Sequence, residues 1–321
     1  MSRLTKIDDL LFPVKEYPVF ANIKTQSGER QIPLPDKKAL INTKTNRVLG
    51  VVSRGYRLVT NSEALDLAHE CCIKAFPETK ASEWIVDASD APQSGGHCFF
   101  DLLHKTAKLD FSTVSPNNRP DTLGPFIRVT NSYNGLRALT FDIGFYRKVC
   151  KNGLIIPKSI IRFKFTHLQR DIGNQITFEI NHDQLSKLKS NFNDYFGVLL
   201  KCAVPYPDFN PLLQGVLRIH KPKDIEKKYK LADDWENLSI HLNDLCKKYS
   251  EDLGENAYSA FNAITDFASH PLENRCIHRE RHSFQRLAGE WLIDFHNECH
   301  MDNFNFSDYL VKLINTPEKQ N

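Results

Sequence analysis

The sequence predicts an α+β fold, β-rich with antiparallel hairpins over residues 1–172 and helical over residues 173–321. Three observations predict it. Runs of β-branched and aromatic residues, separated by Gly, Pro and Asn, fill the first half. Asn134-Gly135 lies between two such runs, the strongest hairpin signal in the chain. After Asn181, apolar residues recur at helical spacing instead.

Taken in order, residues 1–46 carry Pro13, Pro18, Pro33 and Pro35, which break each candidate element except a short edge strand holding Val19, Phe20 and Ile23. Val48, Val51 and Val52, then Tyr56, Leu58 and Val59, read as two strands around a turn at Arg54-Gly55. Asn61 or Ser62 caps a helix with Leu65, Leu67, Ala68 and Cys72 on its apolar face. Residues 82–110 read as a strand pair around Pro92, Gly95 and Gly96, and the polar stretch 112–124 as a long loop. A two-residue turn at Asn134-Gly135 would pair Tyr133 with Leu136 and Arg128 with Phe141. In a later strand, Arg162, Lys164 and Thr166 alternate with Ile161, Phe163 and Phe165, giving a basic outer face. Leu185, Leu188, Phe192, Phe196 and Leu199 mark a helix that Pro205, Pro207 and Pro211 end. Further helices are expected near 233–250, 256–269 and 273–300.

The composition excludes several classes. The 321 residues suffice for a core without staples, and 41% hydrophobic with 25% charged residues is ordinary for a soluble chain. No apolar run approaches the roughly 18 residues of a membrane span. The opening MSRLTKIDDLLF has neither the apolar core nor the cleavage site of a signal peptide. Eight scattered cysteines without a CxxC fit free thiols in a reducing cytoplasm, so a cytoplasmic protein is expected.

Net charge is only +3, yet it is unevenly spread: +6 over residues 1–60, −5 over 61–127, +8 over 128–170 and −6 over 171–321. In the +8 stretch Asp142 is the single acid, and Phe126, Tyr133, Phe141, Phe145, Tyr146, Phe163 and Phe165 lie among the cations. Cations suit phosphates, and aromatic faces suit unstacked bases. The same pattern suits a sheet with an aromatic core and cations at its rim.

Several short motifs accompany this stretch. They are Asn131, Ser132 and Gly135; Arg147, Cys150, Asn152, Gly153 and Leu154; His167; Gly50-Val51-Val52 with Tyr56, Asn61 and Ala64; and Asn262-Ala263-Ile264-Thr265 with His270. In these the chain resembles a family carried by phages and plasmids, domain of unknown function 932. The resemblance covers most of the chain and implies a mobile-element context without a mechanism. Where the family has His-Asp this chain has Tyr133-Asn134, so any acid–base chemistry of that pair would be absent.

Other chemistry is weaker. Arg147 and Lys148 would favour a thiolate at Cys150, but such a residue also suits a small buried position. His278/His282 and His296/His300 are i,i+4 pairs of a kind that can grip zinc. On one continuous helix the pairs stand about 27 Å apart and cannot share an ion. Asp87, Asp90, Asp101, Asp110 and Asp121 could serve a magnesium-dependent nuclease only if they converge. No cofactor motif and no metal site is expected.

The leading expectation is a non-enzymatic, single-stranded nucleic-acid-binding protein of a mobile element, assisting replication or recombination, with strand annealing as one form. Arg128, Arg137, Arg147, Lys148, Lys151, Arg162 and Lys164 would contact phosphates, with Tyr133 and Tyr146 stacking on bases. The alternatives are a metal-dependent nuclease and a protein-interaction factor acting on the host. Homo-oligomer formation suits the leading role, although no sequence feature shows it.

Overall fold

The structure, a computed structural model, describes residues 3–4, 6–25, 28–106, 109–114, 120–147, 152–155, 163–165, 182–223, 225 and 229–315. Antiparallel sheets and C-terminal helices make it α+β, as the hydrophobic patterns predict. Two compact units each draw on separated stretches: residues 1–107, 126–143 and 161–182, and residues 108–125, 144–160 and 183–321. Among the described residues, no helix is long and apolar enough to cross a membrane.

The first unit opens with β1 (Arg3–Leu4) and a single 3-10 turn. β2 (Val14–Thr25) and β3 (Gly28–Asn42) form a long hairpin, and β4 (Arg47–Ser53) joins β3 to complete a three-stranded sheet. The prolines therefore do not break this region. Pro18 lies in the edge strand β2, while Pro33 and Pro35 precede Lys37, where the β3–β4 pairing begins. A strand can lack an N–H where one of its sides meets no partner.

No second strand follows β4. Residues 56–60 are irregular and lead into α1 (Asn61–Ala75), capped by Thr60 rather than by Asn61 or Ser62. The Thr60 hydroxyl accepts from the Glu63 N–H, and the Glu63 carboxylate accepts from the Thr60 N–H, which satisfies two otherwise orphan donors. β5 (Trp84–Pro92) and β6 (His97–His104) are the expected strand pair.

β7 (Leu109–Val114) and the start of β8 (Pro120–Ser132) pair within the second unit, so strands occupy 112–114 and 120–124, where the sequence predicts loop. The rest of β8 pairs with β6 in the first unit, in the order β1-β5-β6-β8-β9, with β9 spanning Leu139–Arg147. β10 (Gly153–Ile155) pairs with the end of β9 in the second unit, and β11 (Phe163–Phe165) with its beginning in the first.

The turn after β8 is not a two-residue hairpin; residues 133–138 separate the strands. The Tyr133 and Asn134 N–H groups donate to the Gly96 carbonyl (2.8 and 3.2 Å), and Asn134 Oδ1 accepts from the Leu136 N–H. That side-chain turn, with Gly135 at φ +73°, replaces the tight one. Val14, Leu40, Leu49, Val52, Tyr56 and Tyr133 pack together beneath it.

The second unit holds α2 (His182–Lys201), α3 (Tyr206–Leu217), α4 (Tyr229–Leu253), α5 (Ala257–Ser269), α6 (Arg281–Cys299) and α7 (Phe306–Asn315). The prolines expected only to end α2 open α3, with Pro205 as its cap and Pro207 in its first turn. α5 is buried on all sides apart from half-buried Asp266, the mark of a central helix. α6 starts at Arg281, so His278 lies before the helix and the expected continuous helix over 273–300 is shortened.

Candidate functional site

Arg128 projects from the middle of β8 and is fully buried. The cross-strand register places Asp101 opposite it. The two form a bidentate pair, Nε–Oδ1 2.6 Å and Nη2–Oδ2 2.5 Å, and the Phe99 ring lies 4.3 Å from the guanidinium carbon. Tyr133 is buried as well, its hydroxyl accepting from the Asn61 N–H at 2.8 Å. Tyr146 is buried in the second unit, where its hydroxyl accepts from Arg281 at 3.1 Å. Arg128 therefore cannot contact phosphate, nor can Tyr133 and Tyr146 stack on bases, and those three assignments are corrected. Strands paired on both edges and covered on both faces turn this part of the basic-aromatic stretch into core.

Of the other expected contacts, Arg137 is half-buried in the turn after β8. Arg147 ends β9 and Lys164 lies in β11. Lys148, Lys151 and Arg162 lie outside the described residues, as do Cys150 and His167. The nuclease carboxylates fare no better, since Asp101 is taken up by Arg128. Among the described residues no metal-binding group forms around Asp87, Asp90 or Asp101.

The motif residues do converge, as supports of the fold. Asn131 Nδ2 donates to the Val59 carbonyl and to Asn61 Oδ1, each at 2.9 Å, and the Tyr56 hydroxyl donates to the Ser132 carbonyl. A side chain at Gly50 would strike the Tyr133 carbonyl and the Asn134 backbone. Burial pushes the Tyr56 and Tyr133 hydroxyls up, keeping both neutral.

A second group gathers in the second unit. Asn152 donates to the Tyr249 hydroxyl (3.2 Å), which donates to Asp266 Oδ2 (2.8 Å); Lys248 and His270 each reach the same carboxylate at 3.1 Å. The Gly153 N–H and Gln285 both donate to Ser269 Oγ. Burial alone would raise the Asp266 carboxyl, but the hydrogen bonds from His270, Tyr249 and Lys248 outweigh it and hold the pKa at about 2. A carboxylate held there is a poor proton acceptor at neutral pH. It is an anchor.

One group among the described residues has a spacing that could hold a metal ion: Asp194 on α2 with His296 and His300 at the end of α6. His296 Nε2 lies 2.7 Å from Asp194 Oδ2, and this contact holds the Asp194 carboxyl below the usual carboxylate range. Its geometry bears on a cation rather than on a nucleic acid.

The exposed candidate is the three-stranded sheet. Cross-strand register puts Lys15 opposite Ile41, Ile41 opposite Val48, Tyr17 opposite Ala39, and Ala39 opposite Val51. Directly opposed residues share a face, so Lys15, Tyr17, Lys37, Val48 and Val51 lie on one side. Val14, Leu40 and Val52 lie on the other, in the core. On the outer side Tyr17 is 42%, Val48 54% and Val51 53% exposed. Beyond the irregularity at Pro18/Phe20 the hairpin continues as an arm with solvent on both faces, displaying Phe20 (50% exposed), Lys24 and Arg30. Residues 14–54 carry eight basic and three acidic groups. The signal was present in the alternation of Lys15 and Tyr17 with Val14, but the prolines masked it.

The family described as Domain of unknown function (DUF932) matches the sequence over residues 48–288. No curated protein and no solved structure matches the chain. The matched span starts within β4, so the β2–β3 hairpin precedes it.

Proposed function

The chain belongs to the DUF932 family, whose description names no activity, and we propose that it is a non-enzymatic protein binding single-stranded nucleic acid through its three-stranded sheet. One observation carries this reading: Tyr17 and Phe20 are exposed on a sheet and arm that also present Lys15, Lys24, Arg30 and Lys37. A single strand supplies phosphates for the cations and unstacked bases for the rings. Duplex DNA would leave the rings without a partner unless it opened. The resemblance to phage and plasmid proteins supports placing this binding in the replication or recombination of a mobile element, with strand annealing as one form.

The test is anisotropy of a short labelled strand across a salt series, without and then with magnesium. Wild type should bind at low salt and weaken linearly on a log–log plot. Lys15→Glu, Tyr17→Ala, Phe20→Ala and Lys37→Glu combined should weaken binding at least about tenfold, since one base-stacking contact is worth about 1–3 kcal/mol. Unchanged affinity in that variant, together with loss on Arg147→Ala plus Lys148→Ala, would move the interface to the central stretch. Strand degradation that requires magnesium would make the protein a nuclease instead.

A further inference from the structure

We propose that Asp194, His296 and His300 form a site for a single divalent transition cation of the zinc type, bridging α2 and α6. This is independent of the nucleic-acid reading. One donor atom from each side chain lies within 4.8 Å of the other two, and Asp194 and His300 are exposed, so an ion has access. Two ligands on one zinc ion stand at most about 4.2 Å apart, twice the usual bond length. Small rotations of the two exposed side chains close the remaining gap.

The hydrogen bonding prepares His300 as a ligand. Its Nδ1 lies 2.8 Å from the His296 carbonyl, which can only accept. Nδ1 therefore carries the proton, and Nε2 presents a lone pair to solvent, the pattern by which a backbone carbonyl fixes the tautomer of a metal-bound imidazole. His296 is steadied by the Tyr195 ring, edge-on at 4.6 Å, and its Nε2–H donates to Asp194 Oδ2. Its Nδ1 is buried without a hydrogen-bond partner. No second donor holds the ring in a fixed structural role, and the Asp194 contact is one that a cation can replace, the ring proton passing from Nε2 to Nδ1 so that Nε2 offers its lone pair. The i,i+4 spacing on α6 sets both imidazoles on one face, with ring centroids 4.3 Å apart. Two imidazoles and one carboxylate suit zinc, nickel or copper rather than magnesium, which prefers oxygen donors. Water would complete the coordination.

Calorimetric titration of the metal-stripped full chain with zinc chloride tests this. The expected result is one zinc per chain, with magnesium failing to compete. His296→Ala and His300→Ala should each weaken binding at least about tenfold, and Asp194→Asn should weaken it as well. Cys202 and Cys299, neighbouring thiols just after α2 and at the end of α6, supply the control: Cys202→Ser with Cys299→Ser should keep the zinc. Zinc should also raise the melting temperature of wild type but not of His300→Ala, whose exposed side chain can be removed without harm to the fold. Zinc binding that survives both histidine replacements, or that vanishes only in the cysteine variant, would overturn the assignment. So would the absence of stoichiometric binding in wild type.

Discussion

At Arg128 a full positive charge lies out of solvent, donating two hydrogen bonds to Asp101 and covered by the Phe99 ring. The partners stand 27 positions apart in sequence, and only the β6–β8 register unites them. A reading of consecutive residues sees a cation beside aromatics and cannot see its acid. Removing one member of such a pair leaves the other charge buried and alone. Arg128→Ala or Asp101→Ala is therefore expected to cost about 3–5 kcal/mol, and urea denaturation should show both folding far less stably, if at all. Replacing both with leucine should recover much of that loss, and a double variant as unstable as the singles would refute the account. Asp266 gives a prediction about pH. Its folded pKa of about 2 lies below the ordinary carboxylate value of about 4. The stabilisation is thus complete above pH 4 and disappears as pH falls from about 4 to 2. Asp266→Asn should lower stability at pH 7 by up to about 2 kcal/mol and should flatten the acid limb of the stability profile. Parallel acid limbs in the two proteins would show that the anchor is not ionised as described.

At the scale of elements, what could be read depended on whether the controlling contacts were local. α2, α4, α5 and α6 follow a repeat within one segment, and their apolar stripes identify them, whereas α3 is hidden by Pro205, Pro207 and Pro211, which signal a break. α1 likewise announced itself, though its cap moved to Thr60 once Glu63 was positioned to answer it. Thr60→Ala should cost about 1 kcal/mol by thermal denaturation. The β2–β3 hairpin was not legible, because Pro18, Pro33 and Pro35 are tolerated only where a strand edge is free, which is a property of the sheet. Asn134-Gly135 erred in the opposite direction: Gly96 takes the Tyr133 N–H that a tight hairpin would have used. Close packing in the second unit hides in Gly289 of α6, where a Cβ would collide with the Ile155 carbonyl of β10. In a free helix, Gly→Ala gains nearly 1 kcal/mol. Here Gly289→Ala should instead destabilise by about 1–3 kcal/mol, and a gain on denaturation would show that β10 yields easily.

For the whole molecule, the alternating charge blocks were legible from the sequence, but their meaning was not. In the +8 stretch Arg128 is neutralised inside a sheet, whereas cations of the +6 stretch at residues 1–60 lie on exposed strands beside Tyr17 and Phe20. Location decides which block can meet a polyanion, and location is set by strand pairing. Because the family match begins at residue 48, the β2–β3 arm adds surface to this chain that the matched span does not include. The most direct test of where a strand lies is photo-crosslinking of a bromouridine-substituted single strand, with the modified peptides identified by mass spectrometry. Crosslinks are expected in the peptides holding Tyr17 and Phe20, abolished by Tyr17→Ala with Phe20→Ala. Crosslinks confined to residues outside 14–54, or none at a concentration that saturates binding, would contradict it.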